Sequence, residues 1–292
     1  QVLANTIELS PLEVHYFRIE RDSLRANADK KDRRRQEKAV AKATRKDSLR
    51  ALKKLTEEVD GQRRIVDDPP VIVRLSEQLE ADDRARFAEF FSQYRATLAP
   101  HRAAVLERYR FVDMAHKIVG VGSVGTRCLI ILLQCDRGSP LFMQFKEATR
   151  SVLEPYAGPS QFDQAGERVV RGQRLMQSTG DILLGWSRYE HHQGATADFY
   201  FRQLWDGKGS ADVDEMGPSR LKDYAAHCGG ALALAHARTG DATAISAYLG
   251  DDPAADHVFT EFAEQYADLN ERDHQAHHEA IDSGRVAATG GV

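Results

Sequence analysis

Helical and strand-like patterns alternate along this chain. Residues 22–58 contain neither glycine nor proline and are rich in alanine, lysine, arginine, glutamate and leucine, which predicts a helix that stops near Gly61. Residues 80–112 predict more helix, because apolar and aromatic side chains recur at about 3.6-residue spacing, with an interruption at Pro100. Shorter apolar runs occupy residues 14–19, which predict a short strand or a helix start, and residues 71–75.

The centre of the chain has the pattern of a β-sheet. Residues 126–134 form an apolar, β-branched run of strand length, and a turn at residues 135–140 separates it from a second run at 141–147. Residues 181–186 and 199–205 predict two more strands.

Helices are predicted on both sides of the last two strands. Residues 162–179 predict a helix between the strands, and residues 221–238 and about 255–280 predict helices after them, the first ending at Gly240. We therefore expect an α+β fold with about five strands, one intervening helix and helices at both ends.

Composition excludes several classes of protein. A hydrophobic fraction of 42% and a charged fraction of 29% are typical of a soluble globular protein, and the net charge of −4 makes nucleic-acid binding unlikely as a general property. No apolar run approaches the roughly 20 residues that span a bilayer, so no membrane partner is expected. Three cysteines are too few for a disulfide framework, and their odd number would leave one unpaired, which favours a cytoplasmic location. Because the first residue is Gln1, a trimmed chain or a fragment is expected.

A basic segment lies within the first predicted helix. Between Arg25 and Lys54 there are 13 lysine and arginine residues against 4 acidic ones. One interpretation is a surface for an acidic partner or nucleic acid. The favoured interpretation is a solvated helix with one apolar stripe, because no aromatic residues interrupt the charges and acidic residues follow.

A glycine-rich loop precedes the first strong strand. Gly120, Gly122 and Gly125 form a Gly-x-Gly-x-x-Gly pattern, and Ser123 adds a hydroxyl at its tip. A Rossmann site would place a helix after these glycines. Here strand-like sequence lies on both sides, which is the arrangement of the phosphate-covering loop in protein kinases. Backbone N–H groups of such a loop approach phosphate oxygens because glycine has no Cβ. The alternative is a hairpin whose glycines serve only the fold.

A single lysine stands among apolar residues on the next predicted strand. Lys146 lies 21 residues beyond Gly125, where a kinase-type fold keeps its phosphate-pairing lysine. Such a lysine needs a carboxylate to hold it, and Glu154 and Glu167 are the candidates, with no choice between them from sequence. Glu167 could instead pair with Arg171 one helical turn on.

Other polar clusters indicate weaker sites. Arg202 and Lys208 could reach an anionic ligand from a strand end, or could simply belong to a stable loop. His274 and His278 are four residues apart on a predicted helix, a spacing that metals use, but a solvated helix is favoured.

Several segments together resemble one bacterial family. They are residues 117–127 (KIVGVGSVGTR), 140–148 (PLFMQFKEA), 151–156 (SVLEPY), 168–177 (RVVRGQRLMQ), 199–204 (FYFRQL), 235–241 (AHARTGD) and 266–268 (YAD). The chain is similar to the uncharacterised family catalogued as domain of unknown function 2252, over nearly its whole length. Arg171 departs from the pattern, since an acidic residue is expected there in relatives.

The resemblance implies a kinase-like protein. Family members resemble aminoglycoside and choline phosphotransferases in a Gly-Asp-x-His-x-x-Asn segment and an Asp-Phe-Asp segment, which suggest a catalytic base and metal ligands in a rearranged kinase-like fold. In relatives both segments precede the region seen here, and this sequence contains neither. The chain therefore resembles the C-terminal part of a family member.

These observations give one leading hypothesis and two rivals. Residues 1–112 would be an N-terminal helical segment, residues 113–206 a glycine-loop nucleotide-binding lobe built like a kinase small lobe, and residues 207–292 a C-terminal helical segment. The lobe would bind ATP, with Mg²⁺ arriving on the nucleotide rather than held by the chain. A small-molecule phosphate acceptor is implied for full-length relatives, whereas this chain alone is expected to be inactive. The rivals are a non-catalytic module that uses the basic helix, and a scaffold.

Overall fold

The computed structural model describes residues 2–17, 48–75, 81–118, 125–190, 194–204 and 211–288. Its helices are α1 (Val2–Ile7), α2 (Pro11–Tyr16), α3 (Ser48–Leu55), α4 (Ala81–Ala96), α5 (Pro100–Leu106), α6 (Glu154–Ala157), α7 (Ala165–Met176), α8 (Pro218–Thr239), α9 (Ala242–Leu249) and α10 (Ala254–Asp282). Its strands are β1 (Thr56–Val59), β2 (Gln62–Ile65), β3 (Ile72–Arg74), β4 (Tyr109–Lys117), β5 (Cys128–Cys135), β6 (Pro140–Ala148), β7 (Gly185–Glu190) and β8 (Thr196–Gln203). The predicted α+β class is confirmed.

Six strands form one antiparallel sheet in the order β3-β4-β5-β6-β8-β7. β1 and β2 form a separate antiparallel hairpin. The large sheet has one strand more than predicted, because β3 pairs with the end of β4 at one edge. α7 lies between β6 and β7 in the chain, as the predicted order requires.

One side of the sheet, here called the aromatic face, packs under α4. Phe145, Phe199 and Phe201 project from β6 and β8 into a core that Phe90 and Tyr94 of α4 complete. Tyr94 stacks on Phe201 with ring centroids 4.0 Å apart and donates its hydroxyl to the carbonyl of Leu183 at 2.7 Å. The helical spacing of the aromatic residues in α4 therefore corresponds to core packing.

The opposite side, here called the lysine face, carries the alternate residues of the same strands. Ile130, Leu132 and Phe142 pack there against Leu55 of α3 and Ile65 of β2. At the other end of this face, α7 covers β7 and β8. Gly166 allows that close approach, since a Cβ at this position would lie 2.2 Å from the carbonyl oxygen of Phe199.

A β-bulge in β4 changes which of its residues point to each face of the sheet. Phe111 is opposite Leu133 on the aromatic face, and Asp113 is opposite Leu132 on the lysine face, so Val112 is the extra residue. Asp113 is fully buried and accepts the backbone N–H of Ile65 at 2.7 Å and its neighbour Met114 at 2.8 Å. This carboxylate therefore ties the small hairpin to the large sheet.

Helices from both ends of the chain pack together. α1 contacts α8 and α9, and α8 contacts α7. Arg238 near the end of α8 donates hydrogen bonds to the carbonyls of Val14, Phe17 and Met176. The three-part domain division is untested and stays a prediction. No helix in the described ranges is long and apolar enough to cross a membrane.

Several boundaries differ from the sequence predictions. Residues 56–58 were predicted as helix but belong to β1, and Gly61 lies in a hairpin turn rather than at a helix stop. Asp60 and Gly61 both have positive φ, 51° and 72°, which suits a tight two-residue hairpin. Residues 18–47, which include most of the basic segment, lie outside the described residues.

Further corrections concern the strands and short helices. Residues 109–112 are strand rather than helix, and residues 181–184 form a turn before β7 rather than part of a strand. The short helices α6 and α9 have no counterpart among the helices predicted from the sequence. Pro100 interrupts the helix as expected, and it does so as the first residue of α5, where its missing N–H costs nothing.

Candidate functional site

The predicted glycine loop connects two neighbouring antiparallel strands, β4 and β5. Gly120, Gly122 and Ser123 lie outside the described residues, so their part in the site stays a prediction. Gly125 is described, and it has a φ of 78° with no atom within 4 Å of where a Cβ would be. The loop therefore returns to β5 through a residue whose backbone conformation favours glycine.

Lys146 occupies the middle of the sheet. On β6 it is directly opposite Cys128 of β5 and Tyr200 of β8. Tyr200 is in turn opposite Trp186 of β7, so one row of side chains crosses four strands on the lysine face. The row begins at the strand end that adjoins the glycine loop.

A second lysine reaches the same region from the other side of the loop. Lys117 is the last residue of β4, two positions after Ala115, which packs on the lysine face. Cys128 lies within electrostatic range of both Lys117 and Lys146. Gln144 and Arg202, opposite each other on β6 and β8, form the next row. We call this group the lysine cluster: Lys117, Cys128, Gln144, Lys146, Tyr200 and Arg202.

The electrostatics of the lysine cluster are dominated by burial and by repulsion between cations. Burial lowers the pKa of Lys117, and neighbouring Lys54 lowers it further. Burial raises the pKa of the Cys128 thiol, which Lys146 opposes. Burial also raises the pKa of Tyr200, against the effect of Arg202. The thiol and the phenol are therefore uncharged at neutral pH, and the cluster is cationic.

Neither lysine forms an ion pair within the described part of the chain. Lys117 lies near Asp68, which raises its pKa slightly against burial. A half-buried ammonium group without a salt bridge is costly, because its partial loss of hydration is not compensated. The cluster would thus gain from an anionic ligand.

The two predicted carboxylate partners of Lys146 are engaged elsewhere. Glu154 pairs with Arg150 at 2.5 Å, which lowers the pKa of its carboxyl, and Glu167 pairs with Arg171 at 3.2 Å. Both pairs span four residues, so each glutamate meets an arginine within its own segment before it can reach a distant strand. The expected ion pair with Lys146 is therefore absent from the described residues, and the alternative pairing of Glu167 with Arg171 is what the structure shows.

Glu147, next to Lys146, faces the other side of the sheet as strand alternation requires. It forms a two-pronged ion pair with Arg127, whose Nε and Nη2 donate to its two carboxylate oxygens at 3.0 and 3.1 Å. The N–H of Arg127 also donates to Glu147. This pair fixes the start of β5 and so the exit of the glycine loop.

α7 borders the lysine cluster through an aromatic side chain. The guanidinium carbons of Arg171 and Arg174 lie 5.2 and 5.6 Å from the ring centroid of Trp186, within cation–π range. Trp186 is the end of the row that includes Lys146. Arg171, the departure from the family pattern, thus forms an ion pair with Glu167 and a cation–π contact with Trp186.

Sequence reasoning missed most members of the lysine cluster. Lys117, Cys128, Gln144 and Tyr200 were not proposed, although strand alternation around Lys146 was a signal that could have identified them. Arg202 was proposed and lies in the cluster, whereas Lys208 is outside the described residues. His274 and His278 approach to 3.2 Å between their Nε2 atoms, yet no group of three metal-binding side chains occurs in the described ranges.

Comparisons with known proteins give one result. Neither a curated protein nor a solved structure matches the sequence significantly. A family described as "Uncharacterized protein conserved in bacteria (DUF2252)" matches residues 1–280. That span includes every strand of the sheet and the whole lysine cluster, and the chain belongs to this bacterial family.

Proposed function

We propose that this protein binds the phosphate groups of a nucleotide on the lysine cluster, with Mg-ATP as the ligand. The observation that carries the proposal is the placement of Lys146 and Lys117. They share one face of the sheet on β4 and β6, the two strands that flank β5, and no carboxylate in the described residues forms an ion pair with either. Two cations beside a glycine-rich turn suit the oxygens of a polyphosphate.

The order of the parts supports a kinase-like lobe. A glycine loop joins two adjacent strands, the next strand in the sheet carries a lysine, a helix follows, and two further strands complete the sheet. Protein kinases use the same parts, with the lysine pairing the α- and β-phosphates and a helix glutamate holding it. In this chain Glu167 is on the corresponding helix but pairs with Arg171. An inward turn of Glu167 upon ligand binding would restore the kinase-type pair.

Binding without phosphoryl transfer is the activity proposed for this chain. Transfer requires a base for the acceptor hydroxyl and acidic ligands for Mg²⁺. The segments expected to supply them in relatives do not occur in this sequence. The Mg²⁺ would therefore be held by the nucleotide phosphates, and the lysines would neutralise phosphate oxygens that the metal leaves free.

A thermal-shift titration tests the proposal. A ligand that binds only the folded state stabilises it by about 2.7 kcal/mol at a hundredfold excess over its dissociation constant. We expect Mg-ATP to raise the melting temperature of the unaltered protein, and the Lys146→Ala and Lys117→Ala variants to lose most of that shift. Lys222→Ala is the matched control, because Lys222 is an exposed lysine on α8, remote from the sheet in sequence.

The result can refute the proposal in two ways. An unaltered protein that shows no shift at millimolar Mg-ATP does not bind the nucleotide. A shift that Lys146→Ala and Lys117→Ala retain in full would place the nucleotide elsewhere. A shift that tripolyphosphate reproduces and adenosine does not would identify the phosphates as the recognised group.

A further inference from the structure

A cavity of about 640 Å³ lies on the aromatic face, on the opposite side of the sheet from the lysine cluster. Phe87 and Phe91 of α4, Phe111 of β4 and Leu133 of β5 supply its apolar lining. Phe87 is 5.6 Å from Phe111 and 6.3 Å from Phe91 between ring centroids. The volume is in the range of pockets that hold small organic ligands.

The β-bulge creates this cavity. It places Phe111 on the aromatic face beyond the point where β3 stops, since β3 pairs only with residues 115–117 of β4. Phe111 remains substantially exposed, although it is a large apolar side chain in a strand. An aromatic wall that is open to solvent is a costly arrangement unless something covers it.

All charged residues that line the cavity are arginines. Arg84 and Arg95 belong to α4, and Arg64 reaches in from β2, where its Nη1 donates to the carbonyl of Val112 at 3.3 Å. No acidic side chain lines the cavity within the described residues. The lining therefore combines guanidinium groups with aromatic side chains.

Arg95 has an unsatisfied donor. Its Nη2 pairs with Glu107, whereas its Nε is buried without a hydrogen-bond partner in the described part of the chain. Buried guanidinium N–H groups in proteins are nearly always bonded. A ligand oxygen that reaches this N–H would remove the deficit.

We propose that this cavity binds an aromatic carboxylate, with the ring system packed against the Phe87, Phe91 and Phe111 side chains and the carboxylate on the arginines that line the cavity, Arg95 among them. Aromatic side chains favour a flat apolar ligand through offset or edge-to-face contacts. The planar guanidinium fork matches a carboxylate in two-pronged geometry. This site is independent of the nucleotide proposal, because the strands place it on the other face of the sheet.

Isothermal titration with naphthoate and its uncharged analogue naphthamide tests the inference on the unaltered protein. We expect saturable binding of naphthoate at one site. Naphthamide should bind at least about tenfold more weakly, because the charge-assisted pair is lost. Equal affinities for the acid and the amide would overturn the assignment of a carboxylate ligand. The absence of saturable naphthoate binding would overturn the site itself.

Three variants locate the binding. Arg95→Met keeps most of the side-chain stem and should reduce naphthoate affinity about tenfold while leaving naphthamide unchanged. Ala88→Trp fills the cavity from an exposed position of α4 and should abolish binding of both compounds. Arg108→Met is the matched control, because Arg108 is exposed and does not line the cavity.

The variant results also separate the two sites. Naphthoate affinity that is unchanged in both Arg95→Met and Ala88→Trp contradicts the proposed cavity. Lys146→Ala should leave naphthoate binding intact, and Mg-ATP should not compete with it. Competition together with loss of naphthoate binding in Lys146→Ala would show that naphthoate occupies the lysine cluster instead and would overturn the inference.

Discussion

Lys146 and Cys128 lie directly opposite each other on β6 and β5, so an ammonium group faces a buried thiol in the middle of the sheet. Gln144 adds a hydrogen bond from its Nε2 to the Cys128 sulfur at 3.3 Å. Burial raises the pKa of the thiol more than Lys146 lowers it, so the sulfur carries its proton at neutral pH. Cys128 is therefore an internal reporter of the charges in the lysine cluster.

Cys128 should react slowly with alkylating reagents. Only the thiolate is nucleophilic, and burial both raises the pKa of Cys128 and limits access to it. Hydrogen bonds from the backbone N–H of Arg137 and Ser139 lower the pKa of Cys135, which is also more accessible. Peptide mass spectrometry after timed treatment with iodoacetamide should show Cys135 modified well before Cys128.

The Lys146→Met variant sharpens this prediction. Methionine keeps much of the cover over Cys128 but removes the cation that stabilises its thiolate, so alkylation of Cys128 should become slower still. Lys222→Met should leave the rate unchanged. An increase in the alkylation rate for Lys146→Met would mean that the Lys146 side chain acts on Cys128 mainly by shielding it from the reagent, not by stabilising its thiolate.

Two glycines of α7 should respond in opposite directions to replacement by alanine. At Gly166 the new Cβ would lie 2.2 Å from the backbone oxygen of Phe199, so the helix must move off the sheet. We expect Gly166→Ala to lower the free energy of unfolding by about 1–3 kcal/mol or more. At Gly172 the nearest atom is the Met176 methyl at 3.8 Å, so Gly172→Ala should raise it by roughly 0.5–1 kcal/mol.

Urea denaturation of both variants measures the difference. The slope with denaturant should stay constant, so that the shift in the midpoint reports the change in the free energy of unfolding. Similar stabilities for the two variants would mean that α7 is not held against β8 by close contact at Gly166.

Replacement of Asp113 should destabilise the protein strongly. Its fully buried carboxylate accepts two backbone N–H groups and lies 3.7 Å from Arg74, which donates to the carbonyl of Ile65 as well. Asp113→Ala leaves these donors without an acceptor and should cost about 3–5 kcal/mol.

The control for Asp113 is an exposed ion pair. Asp136 meets Arg110 at 2.9 Å, with both side chains more than three-quarters exposed, so Asp136→Ala should cost about 0–1 kcal/mol. Calorimetric melting of the two variants makes the comparison. An equally small effect at Asp113 would show that the hairpin does not depend on this carboxylate.

Tyr94 should make stability fall at high pH. Burial raises the pKa of its phenol well above the ordinary tyrosine value. Above about pH 10 the unfolded chain releases a proton that the folded state retains, so the free energy of unfolding falls as pH rises. The Tyr94→Phe variant should show a shallower fall between neutral and strongly alkaline pH.

Tyr94→Phe also has a cost at neutral pH. The variant removes the hydroxyl that donates to Leu183 and leaves a buried carbonyl without that donor, which should cost about 1–3 kcal/mol. The two stability curves should therefore converge as pH rises. Parallel curves would mean that Tyr94 does not ionise on unfolding in this range.

Predictions from sequence succeeded where local signals agree with tertiary structure. The apolar run before Cys135 forms β5 because its turn and its burial are both local features of the sequence. The helix predicted over residues 22–58 extends too far at its end. From Thr56 onward, the Asp60–Gly61 turn and the pairing of β1 with β2 override the helical propensity of the sequence. The helix prediction for residues 109–112 was wrong for the same reason, since pairing with β5 decides their conformation.

The candidate site shows the same division. Lys146 was identified from its position after the glycine loop. Its expected partners, Glu154 and Glu167, each pair with an arginine four residues away, and their part in the site stays a prediction. A helical-turn neighbour needs no long-range folding to meet its partner, whereas a strand lysine does. The role of the glycine loop and the kinase-like lobe stay predictions.

The sequence by itself determined the α+β class, the order of loop, strand and lysine, and the approximate bounds of α7, α8 and α10, because periodicity and turn residues act over a few positions. Only the tertiary structure decided which side chains meet. Strand alternation places Lys117, Lys146 and Tyr200 on one face only after the register of β4, β5, β6 and β8 is set. The bulge at Val112 then sends Phe111 and Asp113 to opposite faces, because one extra residue inverts the alternation.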